Sequence, residues 1–185
     1  MQPARGRSSV SAEPAQSGPQ PPEDPREVLT RAARPPDAVL PYGPHPEQLL
    51  DVHLPPEPGH GPASVVVLLH GGFWRQAFDR THTRPLAEAL SAEGHVVVTP
   101  EFRRVGGAGG WPMTFEDVVD ALSALSTLGE VVPGRVAQRP PTLVGHSAGG
   151  QLAIWAALQD DASPVHRVVA LAPVADLHEA YDRGL

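Results

Sequence analysis

The pentapeptide Gly145-His146-Ser147-Ala148-Gly149 constrains the fold of this chain more than any other segment. It follows the apolar run Pro141 to Val144 and precedes Gln151 to Leu158, a second apolar run with the composition of a helix. A strand that becomes a helix within so few residues brings backbone against backbone. Glycines two positions either side of the serine are what so close an approach requires.

The same alternation recurs upstream and downstream. Leu50 to Leu54 alternates as a half-buried strand should, and Ser64 to Leu69 is rich enough in valine for a strand covered on both faces. Thr83 to Glu93 reads as a helix stopped at Gly94, His95 to Thr99 as a strand, and Trp111 to Leu128 as an amphipathic helix. Thr142 to Val144 and His166 to Leu171 supply two more strands, with a helix from Ala148 to Gln159 between them. Strands separated by helices and short loops predict an α/β protein. The expected architecture is a three-layer αβα sandwich with a mostly parallel sheet and no internal repeat.

Composition sets the boundaries. Residues 1–41 are dense in Pro, Ala, Ser and Gln, with little to bury, and read as a disordered arm with at most a helical turn around Glu27 to Ala33. Residues 42–185 are the expected folded domain. The net charge of −7 argues against a nucleic-acid surface or a polybasic membrane patch and leaves a small molecule as the expected partner. The longest apolar run, Val65 to Leu69, is far short of the roughly 20 residues that span a bilayer. Arg5 and Arg7 have no apolar segment behind them, so the start does not read as a secretory signal, and the expected location is cytoplasmic. With no cysteine there is no disulfide, thiolate metal site or Cys nucleophile, and no metal or cofactor is expected.

A serine on a sharp strand-to-helix turn is pushed out at the top of the sheet, which makes Ser147 the candidate nucleophile. The N–H of Ala148, at the positive end of the new helix, is then a candidate donor to an oxyanion. The competing reading is a glycine-rich turn that packs helix on strand or binds phosphate. A dinucleotide fingerprint starting at Gly145 fails, because Ser147 stands where its middle glycine belongs. A second element, His70-Gly71-Gly72-Phe73-Trp74, follows the strand Ser64 to Leu69. Its glycines let backbone N–H groups reach a substrate oxygen, and Gly72 and Phe73 are the expected donors. His70 reads as a brace for this loop, and Phe73 and Trp74 as walls of a substrate pocket or as core.

These two motifs, in this order, with Tyr42 to Pro55 upstream, resemble the α/β-hydrolase superfamily, and within it the esterases and kynurenine formamidases that carry HGG-aromatic-Trp. The resemblance covers Tyr42 to Leu185. It implies an αβα fold and a Ser/Asp/His triad that hydrolyses a carboxylic ester or an N-formyl amide without a cofactor.

The triad order Ser, acid, His leaves little chain after Ser147 for the last two members. Asp176 and His178 are too close in sequence to form a relay with Ser147, and Asp176 reads instead as a helix cap with His178 exposed. His146 is expected to hold the turn, and His82 and His95 to sit at helix ends. Arg103 and Arg104 are expected to pair with Glu116 or Asp117 rather than to hold a substrate carboxylate, and Trp111 and Pro112 to open a helix. The expectation is therefore a C-terminally truncated domain whose triad Asp and His lie beyond Leu185. A catalytically inactive fragment or binding module is the alternative.

Overall fold

The computed structural model describes residues 27, 29–56, 61–159 and 164–184. Its strands are β1 Ala38–Pro41, β2 Leu49–His53, β3 Val65–Leu69, β4 Val96–Pro100, β5 Thr142–His146 and β6 Arg167–Leu171. The helices are α1 Arg84–Ala92, α2 Met113–Ala124, α3 Leu128–Val131, α4 Ala148–Ala157 and α5 Leu177–Asp182. They build one mixed sheet in the order β1-β2-β4-β3-β5-β6. β1, β2 and β4 pair antiparallel, while β4, β3, β5 and β6 run parallel to one another. The αβα sandwich expected from the sequence is the observed fold.

The residues of β3 divide between two cores by the two-residue period of a strand. Val65, Val67 and Leu69 face a core completed by Val118, Ala121 and Leu122 of α2 and by Leu152, Ala153 and Ala156 of α4. Val66 and Leu68 face the opposite way, against Ala87 and Leu90 of α1. α1 begins with Pro85 in its first turn, where a missing N–H costs nothing, and Gly94 follows its last turn, donating its N–H to the Ser91 carbonyl at 3.0 Å.

β1 lies upstream of the domain start expected at Tyr42. Its four residues pair with β2 from Ala38↔Val52 to Pro41↔Leu49, at the sheet edge, where a terminal proline is tolerated. The prolines flanking so short a strand hide it in the composition of the arm. Thr30 N–H donates to the Glu27 carbonyl at 3.0 Å, a single turn where a helical turn was expected. The first 26 residues of the arm lie outside the described residues. Among the described residues no helix is long and apolar enough to cross a membrane.

Candidate active site

β3 and β5 are neighbours in parallel, with Leu69 opposite Gly145. The two motifs therefore leave the same end of the sheet side by side. Ser147 sits between β5 and α4 with φ 55° and ψ −118°, a left-handed conformation that costs an L-residue about 1–3 kcal/mol. Backbone bonds hold it there: Ser147 N–H donates to the Leu171 carbonyl at 2.9 Å, and Val174 N–H donates to the Ser147 carbonyl at 3.2 Å. The hydroxyl does not cap α4, so Oγ is not spent on the helix.

The flanking glycines are required by space. A β-carbon on Gly149 would lie 2.6 Å from the Leu69 carbonyl carbon, and one on Gly145 would lie 2.5 Å from the Gly149 carbonyl carbon. These are collisions with backbone, which cannot swing aside.

The loop after β3 passes directly beside Ser147. A β-carbon on Gly71 would stand 3.3 Å from Ser147 Cβ and 2.9 Å from the His146 carbonyl oxygen. Gly72, Phe73 and Trp74 then follow at φ 116°, 54° and 56°. Such a run turns successive peptide planes sharply, and only the first of the three residues is a glycine. The loop is held by contacts to the segment after β4. Val105 N–H donates to the Trp74 carbonyl at 2.7 Å, and Gln76 N–H donates to the Val105 carbonyl at 2.9 Å. Phe78 covers Gly72, with its Cγ 2.8 Å from where a β-carbon would be.

His70 is buried, 1% exposed, and stacks on Phe102 with ring centroids 4.2 Å apart. Its Nδ1 faces the Gly71 carbonyl oxygen at 2.8 Å and its Nε2 faces Glu101 Oε1 at 3.1 Å. With one nitrogen on the loop and the other on Glu101, His70 braces the loop against the segment after β4. Glu101 also accepts the Arg80 N–H at 2.9 Å and pairs with Arg104, which reaches Glu47 as well. Burial alone would raise the Glu101 carboxyl. The His70 hydrogen bond and charge, the Arg80 N–H and the Arg104 guanidinium outweigh it and hold the group below its ordinary range.

The other histidines are placed as follows. His146 is exposed beside Ser147. His82 is half-buried in the turn before α1, edge-on to His70 at 5.8 Å. Burial, then the charge of His70, keeps its imidazole below the ordinary value. His95 lies between α1 and β4. Asp176 accepts the Glu179 N–H at 2.9 Å and so caps α5, with His178 exposed on that helix. Among the described residues, no three or more His, Asp or Glu side chains gather as a metal site.

Arg103 makes the ion pair expected with Asp117, at 2.6 Å. Arg104 does not pair with Glu116 or Asp117. Its partners are Glu101 and Glu47, because its side chain turns under the loop of residues 70–78, where it also donates to the Phe78 carbonyl at 2.8 Å. Glu101 was not singled out in the sequence; an acid directly after a valine-rich strand marks the position, but its burial and its partners come only with the fold. Trp111, expected only to open α2, joins Phe73, Trp74 and Phe115 around an apolar cavity of about 430 Å³ that Arg75 and Leu177 complete.

Residues 66–184 match the model of a family described as the Alpha/beta hydrolase family. No curated protein matches the chain. Among solved structures, it is similar to esterase B from Lactobacillus rhamnosis, with 23% identity, a TM-score of 0.69, and 84% of this chain and 55% of that one covered. A protein from Silicibacter sp. tm1040 gives 26% identity and a TM-score of 0.63, with 84% and 55% covered. The native form of the thermophilic esterase Est2 from Thermogutta terrifontis gives 20% identity and a TM-score of 0.63, with 79% and 57% covered. The chain thus spans about half the length of the solved structures it matches.

Proposed function

The chain belongs to the alpha/beta hydrolase family, and from that premise we propose that it carries the nucleophile and oxyanion-stabilising part of a serine hydrolase acting on carboxylic esters or N-formyl amides. Ser147 Oγ attacks the substrate carbonyl carbon while a base takes the hydroxyl proton. The negative charge that develops on the carbonyl oxygen is met by the N–H groups of Gly72, Phe73 and Ala148. Collapse of the tetrahedral intermediate expels the alcohol or amine, which takes the proton back, and water then hydrolyses the acyl-enzyme. We assign the base and its acid partner outside the described residues; within them, both nitrogens of His70 and one carboxylate oxygen of Asp176 are already engaged.

The observation that carries this reading is the approach of Gly71 to Ser147, within 3.3 Å of a β-carbon position. It puts the loop of glycine amides beside a serine whose hydroxyl is not used as a cap. Availability of the donors adds support, since no loop backbone bond uses the N–H of Gly72 or Phe73 among the described residues. The cavity bounded by Phe73, Trp74, Trp111 and Phe115 is the proposed seat of the substrate's apolar group.

Treatment of the full-length protein with a fluorophosphonate tests the reading. Covalent labelling that disappears in Ser147→Ala, together with turnover of a p-nitrophenyl ester or an N-formyl aromatic amine, is the expected result. A folded protein that neither labels nor hydrolyses either substrate has kept the fold as an inactive or binding module instead.

A further inference from the structure

We propose that Glu101 is a positioning residue for the oxyanion loop, acting through His70 to fix the direction of the Gly72 N–H. This rests on the role proposed for that loop above. The path runs through one rigid unit. The Gly71 carbonyl and the Gly72 N–H belong to a single planar trans peptide and point in opposite directions. Whatever holds the Gly71 oxygen therefore aims the Gly72 hydrogen. His70 Nδ1 holds that oxygen at 2.8 Å, and the other end of the ring rests on Glu101 Oε1 at 3.1 Å.

Glu101 is a fixed anchor. It leaves β4 buried, and Oε1 accepts from Phe102 N–H at 3.2 Å and from Arg104, while Oε2 accepts from Arg80 N–H at 2.9 Å and Nη1 at 3.4 Å. Donors surround both oxygens, so the carboxylate cannot rotate without losing one. The His70 ring thus spans from the loop at one nitrogen to the anchored carboxylate at the other. Arg80, Arg104 and the edge of His82 complete the groups around this pair. The next peptide is fixed as well, because Arg75 N–H donates to the Gly72 carbonyl at 3.0 Å and so aims the Phe73 N–H. Arg104 ties in Phe78, which covers Gly72. A loop with three successive positive φ angles needs such anchoring to stay in place.

In Glu101→Gln one oxygen becomes an NH₂ among donors, and the set of contacts cannot be completed. The test compares full-length wild type, Glu101→Gln, His70→Gln and the double variant by ¹⁵N NMR and by fluorophosphonate inactivation. In the variants the Gly72 and Phe73 amide resonances move and exchange faster, while that of Ala148 stays in place. The limiting inactivation rate constant falls about tenfold, the concentration for half-maximal rate is unchanged, and the double variant is no slower than the slower single one. Folded variants whose Gly72 and Phe73 amides match the wild type overturn the proposal. Should Glu101→Gln not fold, His70→Gln decides: Gly72 and Phe73 amides that match the wild type overturn the proposal, and displaced ones support it. A wild type that never labels counts against the acyl-enzyme reading alone, because the amide signals need no reaction at Ser147.

Discussion

Gly149 lies under the end of β3 so closely that a β-carbon there would stand 2.6 Å from the Leu69 carbonyl carbon. Gly149→Ala must push α4 off the sheet or distort the end of β3. A loss of about 3 kcal/mol or more in urea unfolding is expected, in the range of severe overpacking. Fluorophosphonate labelling of Ser147 should fall with it. Wild-type stability in this variant would mean that helix and strand are further apart than described.

Ser147 pays conformational strain for its position, at φ 55° and ψ −118°. Ser147→Gly relieves it and should stabilise the fold by about 1 kcal/mol, whereas Ser147→Ala keeps the β-carbon and should leave stability nearly unchanged. Both remove covalent labelling. Thermal unfolding of the pair separates strain from chemistry, and equal melting temperatures would contradict a strained elbow.

Asp117 is fully buried and takes bonds from Gln48 Nε2 at 2.8 Å, from Arg103 N–H at 2.8 Å and from the Arg103 guanidinium. Asp117→Ala leaves the buried Gln48 amide and the Arg103 N–H without their acceptor and should cost about 3 kcal/mol. Glu116→Ala, one residue away on the exposed face, should change stability by less than about 0.5 kcal/mol. Chemical denaturation of both variants checks the contrast.

His53 is buried on β2 with neither ring nitrogen hydrogen-bonded. Burial, then the charge of Arg34, holds it below its ordinary value of 6.5, so the folded state keeps the ring neutral. Below pH 6.5 the unfolded chain takes up a proton that the folded chain refuses, and stability is lost as pH falls. His53→Leu should flatten the decline between pH 7 and 5 and leave the share that His82, lowered in the same direction, contributes. An unchanged slope would place the acid sensitivity elsewhere.

Trp111 is 71% exposed yet borders the cavity reached from Phe73. Trp111→Ala should therefore leave the melting temperature almost intact. In an active full-length enzyme it should lower kcat/KM for a hexanoate ester several-fold relative to acetate, since one lost apolar contact is worth about 1–3 kcal/mol. An equal effect on both esters would place the acyl chain elsewhere.

The parts legible in the sequence were those written in local pattern. Val65 to Leu69, Val96 to Thr99 and the glycines around Ser147 announce themselves by composition over a few residues. Ala38 to Pro41 did not, because a four-residue edge strand ending in proline looks like linker. Glu101 did not either. Its partners come from Glu101's own loop and from His70 and Arg80, and only the fold brings these together. Trp111 reads as the start of a helix until the loop of residues 70–78 is placed opposite it. Function written in tertiary juxtaposition has no period to detect.

The pairing of Leu69 with Gly145 acts as an alignment gauge for the whole end of the sheet. A slip of one residue between β3 and β5 would shift the serine relative to the loop of residues 70–78 by about 3.3 Å and turn every side chain of β5 to the wrong face. Main-chain pairing therefore sets how far Ser147 stands from the loop of residues 70–78, and side chains such as His70 then fix the shape of that loop. Cavity-lining residues such as Trp111 and Leu177 stand outside this pairing, so a change in either leaves the calibrated interval at the centre as it is.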